Sequence, residues 1–288
     1  MKILICYFSG TGNTKRVVDK FASCLEEKGN SVVVRRVEQP FNENLEEFDL
    51  LGFGYPVHAF NAPKIMLDFV KKLPKLLKVK EAFILNTSGE PLKLNNISSI
   101  KLTSLLKKKN IAVNNEFHYV MPYNIIFRHT DKMAFRMWDT AQKIIPLDVK
   151  KLLNGEKTKL KKVFLGRPVA HLMRIEHWGG RFNGKHYKML PECVKCGCCV
   201  NICPTKNITI ENGELKFGKK CIMCMRCSFL CQKNAIKIGF FNKWKVNGAY
   251  NFNNPNDTTE DMHKRYCKKA YERYFADCEK RIAEENAL

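Results

Sequence analysis

The sequence predicts an α/β protein in which a doubly wound parallel sheet of five strands precedes a small cysteine-rich α+β unit and a C-terminal helix. Up to about residue 152, short apolar runs alternate with segments of helical period, as crossover helices between parallel strands require. Nine of the 13 cysteines then fall between Cys193 and Cys231. The chain of 288 residues exceeds the usual size of one domain. We therefore expect units at 1–155 and 188–239, a packed linker at 156–187 and an extension at 240–288.

The elements of the first unit follow from apolar patterning. Buried strands are expected at 2–8, 31–37, 49–55, 81–86 and 117–122. Helices are expected at 13–28, with Gly29 as the stop signal, and at 62–73, 97–109 and 131–153. Pro146 should kink or split the last helix, because proline removes a helical hydrogen bond.

Two further segments carry apolar side chains that need partners. The linker contains Trp178 and Phe182, which would be exposed unless it packs on the rest of the protein. Residues 257–285 form an amphipathic pattern with Tyr271, Tyr274 and Cys278 on one side. A helix docked on its own protein is favoured there over a helix that binds a partner.

The charge and the apolar runs limit the classes of function. Lys and Arg number 50 against 28 Asp and Glu, a net charge of +22, which predicts attraction to something acidic. The basic residues are scattered and lack interleaved aromatics, so an acidic protein is favoured over nucleic acid. The longest apolar runs, such as residues 3–8, are too short to span a membrane. With clustered cysteines and no secretory pattern, a reducing, cytoplasmic location is expected.

The cysteines form an internal repeat of 28 residues. Each copy has the pattern C-x2-C-x2-C-x3-C, and Ile208 and Ile210 recur as Ile236 and Ile238. Between the copies, Asn212-Gly213 is a hairpin turn signal. The first pattern consists of Cys193, Cys196, Cys199 and Cys203, and the second of Cys221, Cys224, Cys227 and Cys231.

This spacing favours iron–sulfur clusters over zinc. Pairs of the form C-x2-C also build zinc sites, but each triplet here is closed by a fourth cysteine, and Pro204 follows the first pattern. Gln232 stands where the second copy would carry proline, which removes no ligand. Cys198 lies out of register and is interpreted as a spare thiol.

Three loops at strand ends indicate a site for a phosphate-bearing ring compound. Residues 9–14, of sequence Ser-Gly-Thr-Gly-Asn-Thr, follow the first strand and open a helix, where backbone N–H groups, hydroxyls and the helix dipole favour an anion. The loop lacks the lysine of a P-loop, which argues against nucleoside triphosphate hydrolysis. Further loops at 54–60 and 86–91 follow the third and fourth strands.

The loops and the cysteine repeat together resemble the ferredoxins of anaerobes in which a flavodoxin-like domain precedes a bacterial two-cluster ferredoxin domain. The resemblance covers about residues 1–240. It implies crossed ligation, in which the fourth cysteine of one run binds the other cluster. One [4Fe-4S] cluster would be held by Cys193, Cys196, Cys199 and Cys231, and the other by Cys221, Cys224, Cys227 and Cys203.

The resemblance also implies FMN at the switch point of the sheet. In this interpretation His58 takes the aromatic stacking position, with Tyr55 or Phe60 as substitutes. Alternatively, Tyr55 is a core residue and residues 121–124 are a strand end without ligand contact. The implied FMN residues are Ser9, Gly10, Thr11, Gly12, Asn13, Thr14, Tyr55, Pro56, Val57, His58, Asn86, Thr87, Ser88 and Gly89.

Such a protein is expected to carry electrons to or from an acidic redox partner protein in anaerobic metabolism. The alternative is an FMN- and iron–sulfur-dependent oxidoreductase that acts on a quinone or a small acceptor. A dinucleotide fingerprint is incomplete, because Lys15 stands where the third glycine should follow Gly10 and Gly12. The carrier is favoured on these grounds.

Overall fold

The computed structural model describes residues 1–253, 261 and 266–287. Its centre is a parallel sheet of five strands in the order β2-β1-β3-β4-β5, so the predicted doubly wound architecture is confirmed. Tyr7, Pro56 and Ser88 end three neighbouring strands at the same edge, and the chain reverses direction across the sheet at β1 and β3. The strands are β1 (Lys2–Tyr7), β2 (Ser31–Arg36), β3 (Leu50–Pro56), β4 (Lys80–Ser88) and β5 (Ile111–Val120).

Helices cover both faces of this sheet and bury it. On one face Phe21 of α1 stacks on Phe83 of the sheet at a centroid distance of 5.2 Å, and Ile145 of α4 joins the same core. On the other face Val70 and Leu106 pack against the sheet. These helices are α1 (Asn13–Glu27), α2 (Lys64–Lys72), α3 (Ile100–Lys107) and α4 (Asp131–Leu153), with 3-10 turns at Leu45–Glu47 and Lys93–Ser99.

One sequence prediction in this unit is wrong in detail, and a second is narrowed. Strand β5 begins at Ile111 rather than at 117. Polar side chains in its first half made this part of the sequence resemble a loop, but they find partners at the sheet edge. Asn115 donates to the Glu156 carbonyl (2.6 Å), and Glu116 pairs with Lys162 (2.6 Å). Helix α4 runs unbroken through Pro146, so it is not split. Packing of the flanking buried residues outweighs the cost of proline, about 3 kcal/mol.

The linker at 156–187 contains two short helices, α5 (Gly166–Met173) and α6 (Glu176–Gly184). The linker packs on the rest of the protein, but not through its large aromatic side chains as expected. Trp178 is 72% exposed and Phe182 58% exposed, whereas Gly180, Asn183 and Gly184 face inward. A Cβ on Gly184 would collide with Cys221, so only a small residue allows α6 to approach the cysteine-rich unit this closely.

The cysteine-rich unit repeats structurally as well as in sequence. Helix α7 (Cys198–Asn201) and helix α8 (Arg226–Phe229) are 28 residues apart. Strand β6 (Tyr187–Met189) pairs antiparallel with β9 (Ile236–Ile238), and β7 (Ile208–Glu211) pairs with β8 (Glu214–Phe217). Asn212 and Gly213 both have positive φ, 52° and 75°, as the predicted Asn-Gly hairpin turn requires. A 3-10 turn follows at Gly239–Trp244.

The C-terminal helix α9 (Lys268–Asn286) docks on α4 and on the end of β5, so its packing on its own protein agrees with the sequence prediction. Tyr271, Phe275 and Cys278 are buried there. The predicted start at 257 falls in 254–260, which lie outside the described residues. Over the described ranges, none of the helices combines the length and the apolar character needed to cross a bilayer.

Candidate functional site

A cavity of about 570 Å³ opens at the carboxyl ends of β1, β3, β4 and β5. It lies at the topological switch point, where open α/β sheets bind ligands. Among the described residues, three of the expected FMN residues are not in its lining: Gly12, Tyr55 and Asn86. The expected residues that do line it are Ser9, Gly10, Thr11, Asn13, Thr14, Pro56, Val57, His58, Thr87, Ser88 and Gly89.

The loop after β1 is held rigidly at the N-terminus of α1. Ser9 Oγ accepts from the Gly12 N–H (3.1 Å), and the Thr14 and Thr87 hydroxyls lie 2.8 Å apart. Asn13 Nδ2 donates to the Pro122 carbonyl (2.6 Å). Gly12 caps the helix at φ 106° with no side-chain cap, and its first turn contains no acidic residue. The backbone donors of that turn are therefore suited to an external anion.

The loop after β3 contains an unusual turn. His58 and Asn61 exchange two backbone hydrogen bonds of 2.9 and 2.8 Å, and the two residues between them, Ala59 and Phe60, have φ of 41° and 60°. Side chains other than glycine rarely adopt this region, and such strain concentrates at functional sites. His58 is held further by Glu176 Oε1, 3.7 Å from its Nδ1.

The loops after β4 and β5 contribute residues that the sequence interpretation missed. The Tyr123 hydroxyl donates to Glu90, and burial raises the pKa of that carboxyl. A Cβ on Gly89 would collide with the Tyr123 ring. Tyr271 of α9 donates to the Gly89 carbonyl. Residues 121–124, which the alternative interpretation kept away from any ligand, line the cavity.

Tyr55 lies in the core instead. It is fully buried, its hydroxyl is 3.3 Å from Ser98 Oγ, and burial raises its pKa. Asn86 is also fully buried in the sheet.

His118 is uncharged behind the loop after β4. Ser88, one residue before Gly89, forms a hydrogen bond of 2.7 Å with His118 Nε2, and burial lowers the pKa of His118 to about 4. The uncharged imidazole is thus the form present at neutral pH.

The linker, the cysteine-rich unit and the 3-10 turn that follows it close the cavity. Gly180 of α6 and Met223 of the second cysteine pattern form one side, and Phe241 and Trp244 form another. No pattern in the sequence indicates these residues, because they lie more than 50 positions along the chain from the strand-end loops. They meet those loops only after the two units dock.

Arg226 joins the two units. Its guanidinium donates to the carbonyls of Ser9 (2.6 Å) and Gly10 (3.1 Å) in the loop after β1 and to the carbonyl of Ile202 (3.0 Å). It also pairs with Glu38 at 2.8 Å, and both side chains are more than nine-tenths buried. A Cβ on Gly10 would collide with the carbonyl oxygen of Cys224. The loop after β1 and the second cysteine pattern are therefore in direct contact.

Four of the eight patterned cysteines meet in one small pocket. Its lining includes Cys203, Cys221, Cys224 and Cys227, which is the crossed set implied by the resemblance. Backbone N–H groups point at sulfur atoms: Asn207 N is 3.2 Å from Cys203 Sγ, and Met223 N is 3.4 Å from Cys221 Sγ. Such donors stabilise thiolates.

Of the other four patterned cysteines, Cys196 is exposed, and Cys193, Cys199 and Cys231 are half-buried. Cys198, the spare thiol, is also exposed. The N–H of Ala235 lies 3.3 Å from Cys231 Sγ and repeats the Asn207 contact 28 residues later. In the part of the chain that the structure describes, no three His, Cys, Asp or Glu side chains converge where a single ion could sit. A four-iron cube instead takes one cysteine at each corner.

The comparison with protein families agrees with the topology of the first unit. The family described as "Flavodoxin domain" matches residues 4–144. The N-terminal half of this chain is a flavodoxin-like domain. Among solved structures, the flavodoxin of Streptococcus pneumonia TIGR4 is 15% identical, with a TM-score of 0.41, over 54% of this chain and 99% of that one.

Two curated proteins match shorter parts of the chain. NADH-quinone oxidoreductase subunit I 2 of Geobacter metallireducens is 32% identical over 104 residues, which cover 30% of this chain and 79% of the relative. DNA-directed RNA polymerase subunit Rpo3 of Methanosarcina acetivorans is 34% identical over 64 residues, or 19% of this chain. The chain spans only 24% of the length of Rpo3.

The contact through Arg226 yields a test of how the units are held together. Arg226→Met should lower the free energy of unfolding by about 3 kcal/mol or more, because it leaves the buried carbonyls of Ser9 and Gly10 without their donor and Glu38 with only Arg36, 3.0 Å away, as a cationic partner. Combining it with Glu38→Gln should recover part of that loss. Urea unfolding followed by circular dichroism measures both changes.

Arg136→Met provides the matched control for Arg226→Met. Arg136 pairs with Glu279 at the surface, where both side chains are more than half exposed, and such pairs contribute at most about 1 kcal/mol. Equal losses for Arg226→Met and Arg136→Met would contradict the assigned role of Arg226.

Proposed function

We propose that this chain is an electron-transfer protein that carries FMN and two [4Fe-4S] clusters and exchanges electrons with an acidic redox partner protein. The observation that carries the proposal is the shared wall between the two candidate sites. Met223 lines the cavity of the flavodoxin-like domain and also the pocket of Cys203, Cys221, Cys224 and Cys227. One side chain thus borders both sites.

The residues present fit FMN. The cavity volume of about 570 Å³ lies in the range of cofactor sites. The uncapped N-terminus of α1, with Thr11 and Asn13, would hold the phosphate. His58, Phe60 and Gly89 would flank the ring, and Glu90 and Tyr123 would supply polar contacts at its edge. FMN when bound exchanges one or two electrons, and each cluster exchanges one.

The residues also fit the clusters. A pocket lined by four thiols whose sulfurs face backbone donors is the environment that a cube requires. Burial raises the pKa of the Cys224 thiol to about 12, while the Arg226 backbone N–H and charge act in the opposite direction. Iron would hold these sulfurs as thiolates. We place such a thiol-rich protein in a reducing, cytoplasmic compartment.

A second function, an FMN- and iron–sulfur-dependent oxidoreductase acting on a quinone or small acceptor, has one observation in its favour. The cavity is lined by Ile126, Phe241 and Trp244, which would suit an apolar acceptor. The Geobacter relative is an NADH-quinone oxidoreductase subunit, which is compatible with this function. The incomplete dinucleotide fingerprint at Gly10, Gly12 and Lys15 favours the carrier.

The number of turnovers distinguishes the electron carrier from the oxidoreductase. A carrier reduced with dithionite should pass its stored electrons to a soluble quinone once and stop, and NADH should not sustain further cycles. Absorbance of the quinone over time measures this. Many turnovers with NADH as the sole donor would establish the oxidoreductase and refute the carrier.

Cluster ligation can be tested with paired cysteine variants. Full occupancy gives about eight iron atoms per chain. With crossed ligation, Cys203→Ser plus Cys221→Ser damages one cluster and leaves about four, while Cys193→Ser plus Cys203→Ser damages both. Uncrossed ligation predicts the reverse. Iron analysis after anaerobic reconstitution distinguishes the two, and Cys198→Ser, the spare thiol, should retain about eight.

Flavin binding can be tested at the loop after β1. Thr11→Ala plus Asn13→Ala should weaken FMN at least about tenfold, because hydrogen bonds to a charged phosphate contribute about 1.5 to 3 kcal/mol each. Flavin fluorescence quenching measures the affinity. Ser23→Ala, a half-buried position on α1 whose hydroxyl donates to Glu27 away from the loop, is the control and should bind FMN normally. Equal affinity for riboflavin and FMN would refute a phosphate site.

A further inference from the structure

Helix α6 has the opposite burial pattern to that of an ordinary surface helix. Its inner face consists of Gly180, Asn183 and Gly184, which are buried against the loop of Cys221 and Met223. Its outer face carries Trp178 and Phe182, continued from Ile175 at the spacing of a helical stripe. Small side chains are therefore buried and large apolar ones exposed.

The outer residues belong to a larger patch, which we call the apolar stripe. Phe240 stacks on Phe182 at 5.9 Å between ring centroids, and Leu172 of α5 precedes Ile175 by three residues. The five side chains are Leu172, Ile175, Trp178, Phe182 and Phe240, all between 58% and 72% exposed. Scattered single apolar residues are ordinary on a protein surface, but a contiguous group of this kind marks an interaction surface.

The charge beside the stripe has one sign. Between residues 156 and 189 there are nine Lys and Arg against two Glu. Arg167, Arg174 and Arg181 recur every seven residues along the two helices, and Arg181 lies 5.6 Å from the Trp178 ring. Glu176 turns inward to His58. The stripe is thus bordered by cations and lacks a nearby exposed carboxylate among the described residues of α5 and α6.

The apolar side chains and the positive charge beside them together indicate what binds the stripe. A second copy of the chain is disfavoured, because each copy carries a net charge of +22. Helices with Trp, Phe, Leu and Ile on one side and Arg or Lys beside them lie at the surface of anionic bilayers, where the apolar groups enter the headgroup boundary. We propose that the apolar stripe and its neighbouring arginines attach this protein to the surface of an anionic lipid membrane.

Attachment would also orient the candidate site. Met173, Glu176 and Gly179 line the cavity from the same two helices that carry the apolar stripe. A membrane-bound α5 and α6 would place that side of the cavity at the lipid surface. The proposal itself does not depend on the proposed function, because it rests only on apolar and charged side chains outside the cysteine pocket.

Vesicle sedimentation tests the proposal with the full chain, purified anaerobically. It should bind vesicles of equal parts phosphatidylcholine and phosphatidylglycerol, and it should bind pure phosphatidylcholine far more weakly. Ile175→Ser, Trp178→Ser and Phe182→Ser together should weaken binding at least about tenfold. The control is Leu77→Ser plus Val79→Ser, which removes side chains 90% and 67% exposed in another loop and should bind normally.

A second readout locates the contact. Brominated lipids should quench the fluorescence of Trp178, and Trp178→Phe should keep most of the binding but lose that quenching. Unchanged far-ultraviolet circular dichroism would show that the variants fold. The proposal is overturned if anionic vesicles do not bind, if the triple Ser variant binds like the control, or if sedimentation reveals a dimer that the triple Ser variant abolishes.

Discussion

A buried guanidinium, that of Arg226, joins the flavodoxin-like domain to the cysteine-rich unit. Arg226 joins carbonyls of Ser9 and Gly10 to the second cysteine pattern, with Glu38 as its counter-charge. Burying an ion pair is costly unless its hydrogen bonds are satisfied, and here the guanidinium has three carbonyls as well as a carboxylate. Other contacts lie beside this one: the Cys224 carbonyl touches Gly10, and Met223 lines the cavity.

The two copies of the internal repeat are similar in sequence but differ in their surroundings. The residue 28 positions before Arg226 is Cys198, which is exposed and at the start of α7. The second copy therefore faces the flavodoxin-like domain through a charged side chain that the first copy lacks. As a result Cys224 is buried while Cys196, its counterpart, reaches the surface. An approximately symmetric fold thus has one inward and one outward end, as the proposed electron carrier would require.

Local patterns predicted most of the sheet and little of the interface. Strand β1 and helix α1 were predicted within one residue, because each is an uninterrupted apolar run or stripe that ends at a glycine or a loop. Strand β5 was shortened in the prediction, because Asn115 and Glu116 look like loop residues until their partners 41 and 46 positions away are known. Met223 was missed for the same reason, since only tertiary contacts bring it to the cavity. Glu90 lies in the predicted loop at 86–91 and Tyr123 in the weighed segment 121–124, but neither was included in the implied FMN set. The cysteine ligands and the FMN contacts remain predictions.

The error over Trp178 and Phe182 has a physical cause that unites two parts of the structure. A helix can approach the Cys221 loop closely only if its inner face is small, and Gly180 and Gly184 meet that need. Once the inner face consists of glycine and asparagine, the large side chains of the same helix have no interior left and must point outward. Shielding of the cysteine pocket and exposure of the apolar stripe are therefore consequences of one arrangement. A sequence rule that buries tryptophan by default cannot anticipate it, because the deciding quantity is the distance between α6 and the Cys221 loop.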